Sequence, residues 1–238
     1  MPTIAVACLN DDVYRKHNPG VCPISFRNKM EYCLAHDYSL HLVTHSLAER
    51  RKGSWSKLPL LLTLLQLHDW VFWADTDCLF LNHNIRLEDL IDDNFSLIIT
   101  KDMNGLSAGN FLIKRGNWAT EFLKQSWTKT RCFNHWGQEQ LAMEITLKES
   151  PQMEKQVKYV PQNLLCSYHG VKLPGYLRPY RKGDFLVHFP ARYGSPKLLK
   201  WMREFSSQLI EKKTSRRRRP ESGLPAPRIS PGRRVDSK

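Results

Sequence analysis

The 238-residue chain has no Cys-x-x-Cys pair and no apolar run long enough to cross a bilayer, and its start has no basic leader. The first absence makes a zinc site improbable, because zinc ligands cluster at short Cys and His spacings. The second predicts a chain without a transmembrane segment, or one whose longer form carries an anchor. Three cysteines lie in apolar segments and are expected to be small buried residues: Cys8, Cys33 and Cys78.

Acidic residues are also scarce, with 23 Asp and Glu against 36 Lys and Arg and a net charge of +13. Much of the excess lies in residues 211–238, which hold 10 basic residues against 3 acidic ones. From residue 212 the chain mixes Arg, Pro, Gly and Ser and has too little apolar surface to offset its ordering entropy. We therefore expect one folded domain at residues 1–211 and a disordered basic tail at residues 212–238.

Short apolar runs alternate with amphipathic stretches along residues 1–211, which is typical of an α/β fold. An amphipathic helix is predicted from Pro23 to about Ala35, with Phe26, Met30, Cys33 and Leu34 at helical spacing. The predicted strands are residues 3–9, 38–44, 70–74, 95–100, 110–114, 157–160 and 184–189. The other predicted helices are residues 57–68, 118–127, 138–147 and 196–210.

The strongest chemical signal is the segment at residues 70–80, Trp-Val-Phe-Trp-Ala-Asp-Thr-Asp-Cys-Leu-Phe, where an apolar strand leads directly into two carboxylates. If the extended backbone continues through Thr76, Asp75 and Asp77 point to the same side. They then lie at the carboxyl end of a strand, where open α/β sheets bind ligands. Two carboxylates beside a diphosphate suit Mg²⁺ or Mn²⁺.

Haloacid-dehalogenase phosphohydrolases share the Asp-x-Asp pattern, with the first aspartate as nucleophile. That motif follows the first strand and has Thr or Val two residues after the second aspartate, whereas Leu79 stands there and two β-α units precede it. A phosphohydrolase remains an alternative, as does a nucleic-acid-binding protein that contacts phosphates through the arginines at residues 216–219.

Several blocks in order resemble glycosyltransferase family 34, the galactosyl-, mannosyl- and xylosyltransferases, over about residues 3–205. They are Trp-Ser-Lys-Leu-Pro at 55–59, Trp-Ala-Asp-Thr-Asp at 73–77, Gly-Leu-Ser-Ala-Gly-Asn-Phe at 105–111, Glu-Gln at 139–140, Val-Pro-Gln at 160–162 and Gly-Asp-Phe-Leu-Val-His-Phe at 183–189. The resemblance implies a GT-A-like fold with a mixed, mainly parallel central sheet flanked by helices. It also implies a retaining transferase that moves a hexose or pentose from a nucleotide sugar, UDP-linked rather than GDP-linked, to a glycan hydroxyl.

Carried over residue by residue, the resemblance makes Asp75, Asp77 and His188 the ligands of Mn²⁺, or of Mg²⁺. It places Glu139 and Gln140 beside the reacting sugar carbon as catalytic candidates. A first-turn charge and a core histidine are the plainer interpretations of Glu139 and His188. The candidates for donor binding are Asp75, Lys57, Ala7, Asn104, Asn110, Arg192 and Lys197.

Three departures from the family pattern bear on these assignments. The family has Asn where Ser107 or Ala108 stands, so Asn104 or Asn110 is the expected substitute in sugar binding. It also has Gly and Lys after His-Phe, where this chain has Pro-Ala-Arg-Tyr-Gly, so Arg192 or Lys197 is expected to meet the phosphates. Eukaryotic members are mostly anchored in the Golgi, so the Golgi lumen and the cytoplasm are both candidate compartments. No nucleic-acid partner is expected, and the sequence gives no oligomeric state.

Overall fold

The computed structural model describes residues 1–102, 104–169, 179–190 and 194–217, with side chains through residue 209. The strands are β1 Ile4–Leu9, β2 Ser39–Val43, β3 Trp70–Ala74, β4 Cys78–Phe80, β5 Leu97–Asp102, β6 Gly105–Lys114, β7 Val157–Tyr159, β8 Ser167–Tyr168 and β9 Leu186–His188. The helices are α1 Asp12–His17, α2 Val21–His36, α3 Lys57–Leu64, α4 Asn117–Trp127, α5 Gln138–Glu149, α6 Pro151–Glu154, α7 Gln162–Leu165 and α8 Pro196–Arg217.

Six strands form the central sheet in the order β2-β1-β3-β6-β5-β7. The pairs β1–β2, β1–β3 and β5–β7 are parallel, whereas β6 runs antiparallel to both of its neighbours. The prediction of an α/β fold with a mixed, mainly parallel sheet is therefore confirmed. Strands β1 and β3 are apolar throughout because helices and the second sheet cover both faces of the central sheet.

A second sheet, in the order β4-β9-β8, was not predicted as a separate layer. Strand β4 begins immediately after the Asp75-Thr76-Asp77 turn and pairs antiparallel with β9, which places Cys78 opposite His188. The late part of the chain is thereby brought back to the end of β3. This small sheet is the element that joins the two sequence regions expected to form one site.

The exposed face of α2 corrects the prediction for this helix. Phe26 and Met30 are 37% exposed and Leu34 is 75% exposed, although Cys33 is buried as expected. The buried face of the helix is largely polar and carries Ser25, Asn28, Lys29 and Tyr32. Helical spacing of apolar residues therefore identified the helix but assigned its inner face wrongly.

The polar face of α2 is buried because it completes the hydrogen bonding of the edge strand β4. The Asn28 amide donates to the Phe80 carbonyl at 2.9 Å and accepts from the Phe80 N–H at 2.7 Å. The Lys29 ammonium donates to the Cys78 carbonyl at 3.0 Å. A buried backbone group without a partner costs as much as a lost hydrogen bond, so these side chains stabilise the edge.

Several helices differ from prediction, among them α1 and α8. Helix α1 was missed, and it begins where the Asp11 side chain accepts a hydrogen bond from the Tyr14 N–H at 2.7 Å.

Helix α8 continues through Arg217, past the predicted boundary at residue 211. Its last residues are mostly Lys, Arg and Glu, which favour helix. The rest of the predicted tail, residues 218–238, lies outside the described residues. Within the described part of the chain, no helix is long and apolar enough to span a bilayer.

Candidate metal and donor site

The Asp75-Thr76-Asp77 segment is a turn and not a continuation of β3, so the premise of extended backbone is wrong. The Asp75 N–H donates to the Gly109 carbonyl of the neighbouring strand at 2.8 Å, after which the chain leaves the sheet. Thr76 points inward, with its hydroxyl 2.6 Å from the Leu9 carbonyl and 2.5 Å from Asn10 Oδ1. Because this hydroxyl anchors the turn on β1, the two aspartates are held on one side by the turn itself.

His188 reaches the same turn from β9. Its Nε2 lies 3.3 Å from Asp77 Oδ1, and the Phe189 N–H donates to the Asp77 carbonyl at 2.9 Å. Asp75, Asp77 and His188 each offer one ligand atom, and these atoms lie within 4.8 Å of one another. Adjacent ligands of an octahedral ion with bonds of about 2.1 Å lie about 3 Å apart. The three side chains therefore fit a divalent cation after small movements.

The electrostatics of the three side chains reflect their crowding. Burial raises the pKa of Asp75, Lys57 opposes that rise and Asp77 adds to it. Burial alone would lower the pKa of His188, but the neighbouring Cys166 sulfur and Asp77 carboxylate raise it well above its usual value. Two carboxylates held this close repel each other, and a bound cation would relieve that repulsion.

A second layer of polar side chains surrounds Ala108 on β6. The Lys57 ammonium donates to the Ala108 carbonyl and to Glu139 Oε1, both at 2.8 Å, and lies 3.6 Å from Asp75 Oδ1. Gln140 Oε1 accepts a hydrogen bond from the Ala108 N–H at 3.0 Å. The structure thus brings Lys57, Glu139 and Gln140 together beside Asp75. Lys57 is only 3% exposed, so its ammonium group lies inside the protein and not in solvent.

The burial of Lys57 depends on its partners. Burial would lower the pKa of its ammonium group, but the carboxylates of Asp75 and Glu139 raise that pKa. Glu139 lies in the first turn of α5, as expected, but it is buried and paired and not solvated. An ion pair of this kind fixes side chains in place because each charge alone would be costly to bury.

Two residues at the site were not identified from the sequence. Trp73 Nε1 donates to Asp75 Oδ1 at 2.6 Å, so the aromatic residue before the motif orients the first carboxylate. Lys29 is fully buried behind the turn, where it binds Ser25 and the Cys78 carbonyl. The sequence signal was a lysine aligned with Cys33 along α2, one turn earlier.

Two residues of β6 adjoin the cluster. A methyl group on Gly109 would lie 2.5 Å from His188 Cε1 and 3.1 Å from Asp75 Oδ2, so only glycine leaves room for the imidazole. Asn110 pairs with Ala74, the residue before Asp75. It is fully buried, yet neither amide atom has a hydrogen-bond partner among the described residues. Buried polar groups without a partner are uncommon in folded proteins, so this amide is a distinctive feature of the strand.

Of the other donor-binding candidates, the three that the structure describes do not join the cluster. Ala7 is fully buried in the core between the central sheet and α3 to α5, so its methyl group is not accessible to a nucleotide. Asn104 is exposed at the turn between β5 and β6, where its N–H binds Asp102. Lys197 is exposed in the first turn of α8. Arg192 lies outside the described residues.

Comparison with known proteins identifies the family of the chain. The sequence matches the profile of the galactosyl transferase GMA12/MNN10 family at residues 3–95 and 91–191. Galactomannan galactosyltransferase 1 of Cyamopsis tetragonoloba is 27% identical over 129 residues, 48% of this chain and 29% of that protein. A probable xyloglucan 6-xylosyltransferase 1 of Oryza sativa subsp. indica is 32% identical over 111 residues, 42% of this chain and 25% of that protein. The matches therefore span less than a third of these relatives.

Solved structures show the same fold at low sequence identity. A glycosyltransferase involved in glycosylation of the major capsid of PBCV-1 superposes with a TM-score of 0.67 at 16% identity, covering 85% of this chain and all of that one. The galactosyltransferase LgtC, solved with donor and acceptor sugar analogs, gives a TM-score of 0.55 at 15% identity, covering 86% and 96%. The fold is GT-A, and the chain belongs to the galactosyl transferase GMA12/MNN10 family.

Proposed function

We propose that this chain is a metal-dependent, retaining glycosyltransferase that moves a hexose or pentose from a nucleotide sugar to a glycan hydroxyl. The observation that carries the proposal is the convergence of Asp75, Asp77 and His188 at the end of β3, with ligand atoms within 4.8 Å of one another. Family membership and the GT-A fold support a nucleotide-sugar donor. The names of the plant relatives support galactose or xylose as the sugar class.

The three side chains would hold Mn²⁺ in preference to Mg²⁺, because the imidazole nitrogen suits a transition metal better than an all-oxygen ion. When bound, the cation would neutralise the charge that develops on the departing nucleoside diphosphate. Asp77 and His188 would be its protein ligands. Asp75, oriented by Trp73 and lying close to Lys57, would assist as a further ligand or through the donor.

The residues around Ala108 would act on the sugar side of the reaction. The Ala108 N–H engages one lone pair of Gln140 Oε1 and fixes the amide plane, which leaves the second lone pair for the positive charge that develops at the anomeric carbon. Lys57 donates a hydrogen bond to Glu139, the residue before Gln140, and so fixes the Glu139 side chain. Asn110 on β6 remains a candidate for donor binding, because neither atom of its amide has a hydrogen-bond partner among the described residues.

Two alternatives are less well supported. A phosphohydrolase would need the Asp75 carboxylate as a free nucleophile, whereas one of its oxygens accepts a hydrogen bond from Trp73 and lies 3.6 Å from the Lys57 ammonium. Nucleic-acid binding rests on the arginines at residues 216–219, whose side chains lie outside the described part of the chain. The family match favours neither alternative.

A donor panel tests the proposed function. The protein is incubated with Mn²⁺ and each common UDP- and GDP-sugar in turn, and released nucleoside diphosphate is measured with and without glycan acceptors. We expect one UDP-hexose or UDP-pentose to be hydrolysed slowly and consumed faster with acceptor. Asp77→Asn should abolish this release, whereas Asp12→Asn, at an exposed aspartate of α1, should not. Absence of turnover with every donor, together with phosphate release from a simple ester, would contradict the proposal.

A further inference from the structure

A chain of buried polar side chains leads from the His188 ring to the end of β5, and the proposed reaction uses none of them directly. His188 Nδ1 lies 3.2 Å from Cys166 Sγ, which lies 3.3 Å from Ser107 Oγ. Ser107 Oγ lies 3.2 Å from Tyr168 Oη, and Tyr168 Oη donates to Asp102 Oδ2 at 2.5 Å. Cys166, Ser107 and Tyr168 are all buried, so these groups have few other partners.

The carboxylate at the far end gives this chain a direction. An ionised carboxylate only accepts hydrogen bonds, so the single phenolic proton of Tyr168 is directed to Asp102. Burial raises the pKa of Tyr168, and the neighbouring Cys166 sulfur and Asp102 carboxylate raise it further, so the phenol keeps its proton. Because that proton is committed, Tyr168 Oη can only accept from Ser107.

The same count fixes the remaining protons. Ser107 has one hydroxyl proton and donates it to Tyr168, so its oxygen accepts from the Cys166 thiol. The thiol proton is then committed to Ser107, and Cys166 Sγ can only accept from His188 Nδ1–H. With one proton fixed on Nδ1, the opposite nitrogen, Nε2, which faces Asp77, is the ring nitrogen that would present a lone pair to a bound cation.

We propose that Cys166, Ser107 and Tyr168, anchored on Asp102, are positioning residues that place the His188 proton on Nδ1 and so present Nε2 to the cation held by Asp75 and Asp77. The inference rests on the proposed function, because it assigns the role of His188 in that same site. Metal-binding histidines generally donate their other ring N–H to a partner that fixes ring orientation and basicity. Here a thiol is that partner, and the hydrogen bonds beyond it determine that the thiol accepts.

Mn²⁺ binding tests the contact between Cys166 and His188 without reference to turnover. Free Mn²⁺ is measured by electron paramagnetic resonance during titration in the presence of UDP. Loss of a partner that orients a metal ligand typically weakens metal binding about 10- to 100-fold, and we expect Cys166→Ala to do so. Cys166→Ser should restore affinity to near that of the unaltered protein, because a hydroxyl can both accept from Nδ1–H and donate to Ser107.

Cys132→Ala is the matched control, since Cys132 is equally buried in the core between the central sheet and α3 to α5. This variant also removes one buried sulfur atom, but one that lies away from His188, and it should leave Mn²⁺ affinity unchanged. Unchanged affinity in Cys166→Ala would overturn the inference, as would equal losses in Cys166→Ala and Cys132→Ala. If the unaltered protein binds no Mn²⁺, the proposed function itself fails, so the two failures are distinguishable.

The direction of the chain has its own spectroscopic test. Protein labelled with ¹⁵N-histidine and saturated with diamagnetic Mg²⁺ and UDP should show one slowly exchanging Nδ1–H resonance that is absent from His188→Ala. Tyr168→Phe removes the acceptor that directs the Ser107 proton, so the Nδ1–H resonance should weaken and exchange faster. A His188 ring protonated on Nε2 in the unaltered protein, or an unchanged Nδ1–H resonance in Tyr168→Phe, would overturn the proposed direction.

Discussion

Gly109→Ala adds one methyl group to the most crowded point of the site. The new carbon would lie 2.5 Å from His188 Cε1, a distance that non-bonded carbons do not tolerate, and 3.1 Å from Asp75 Oδ2. Gly109 has no left-handed backbone angles, so alanine is compatible with the strand and the effect is purely steric. The imidazole must move by about 1 Å to restore ordinary contact distances of about 3.5 Å or more.

The expected magnitudes follow from that displacement. Overpacking a well-packed interior typically costs about 1–3 kcal/mol, equivalent to a fall in melting temperature of about 2–12 °C for a chain of this size. Metal distances tolerate only about 0.2 Å, so a shift of about 1 Å in His188 should weaken Mn²⁺ binding at least 10-fold.

A double-mutant cycle isolates the contact. Stability is measured by urea unfolding of the unaltered protein, Gly109→Ala, His188→Ala and the double variant. If the new methyl group clashes with the imidazole, Gly109→Ala should lower the free energy of unfolding when His188 is present. The same substitution should have a much smaller effect in the His188→Ala background. Equal losses of stability in the two backgrounds would refute the steric account of this site.

Three further predictions concern the buried partners of Lys57, the backbone partners of Asn28 and the exposed side chain of Trp136. Lys57→Met should lower the free energy of unfolding by about 3–5 kcal/mol, because it leaves the buried Glu139 carboxylate unpaired. The double variant with Glu139→Leu should recover most of that stability but none of the activity. Asn28→Ala should lower the free energy of unfolding, measured in urea, by about 1–3 kcal/mol for each Phe80 backbone group that it leaves unpaired. Leu34→Gln, on the exposed face of the same helix, should change that free energy by less than about 0.5 kcal/mol. Trp136, 69% exposed and four residues before Gln140, should contact the acceptor sugar, so Trp136→Ala should raise acceptor KM about 2- to 10-fold while donor hydrolysis is unchanged.

The core of the site was predictable because it is encoded locally. An apolar strand that runs into Asp75 and Asp77 implies a strand end with two carboxylates, whatever the remainder of the fold. His188 was predictable only through the family resemblance, since more than a hundred residues separate it from Asp77. The antiparallel pairing of β4 with β9 brings the two together, and no local pattern specifies that pairing.

Other features could not be predicted because they depend on tertiary hydrogen bonds. The spacing of Phe26, Met30 and Leu34 resembles an inner helix face, yet the backbone groups of β4 required Asn28 and Lys29 on that face. The prediction of extended geometry at Thr76 failed because its hydroxyl binds β1 and the following residue. Lys57 was a candidate for donor binding, and its sequence position gave no sign that the carboxylates of Glu139 and Asp75 would make its burial possible.

The most direct test of the central claim is calorimetric titration of Mn²⁺ into the protein with UDP present. The unaltered protein is compared with Asp77→Ala, His188→Ala and His41→Ala. His41 is a partly buried histidine on β2 that contacts His68, and β2 lies on the opposite side of β1 from β3. If Asp77 and His188 hold one cation, both of their alanine variants should lose Mn²⁺ affinity by at least about 10-fold while remaining folded, and His41→Ala should bind normally. Normal Mn²⁺ affinity in His188→Ala would show that the imidazole is a core residue and would contradict the account.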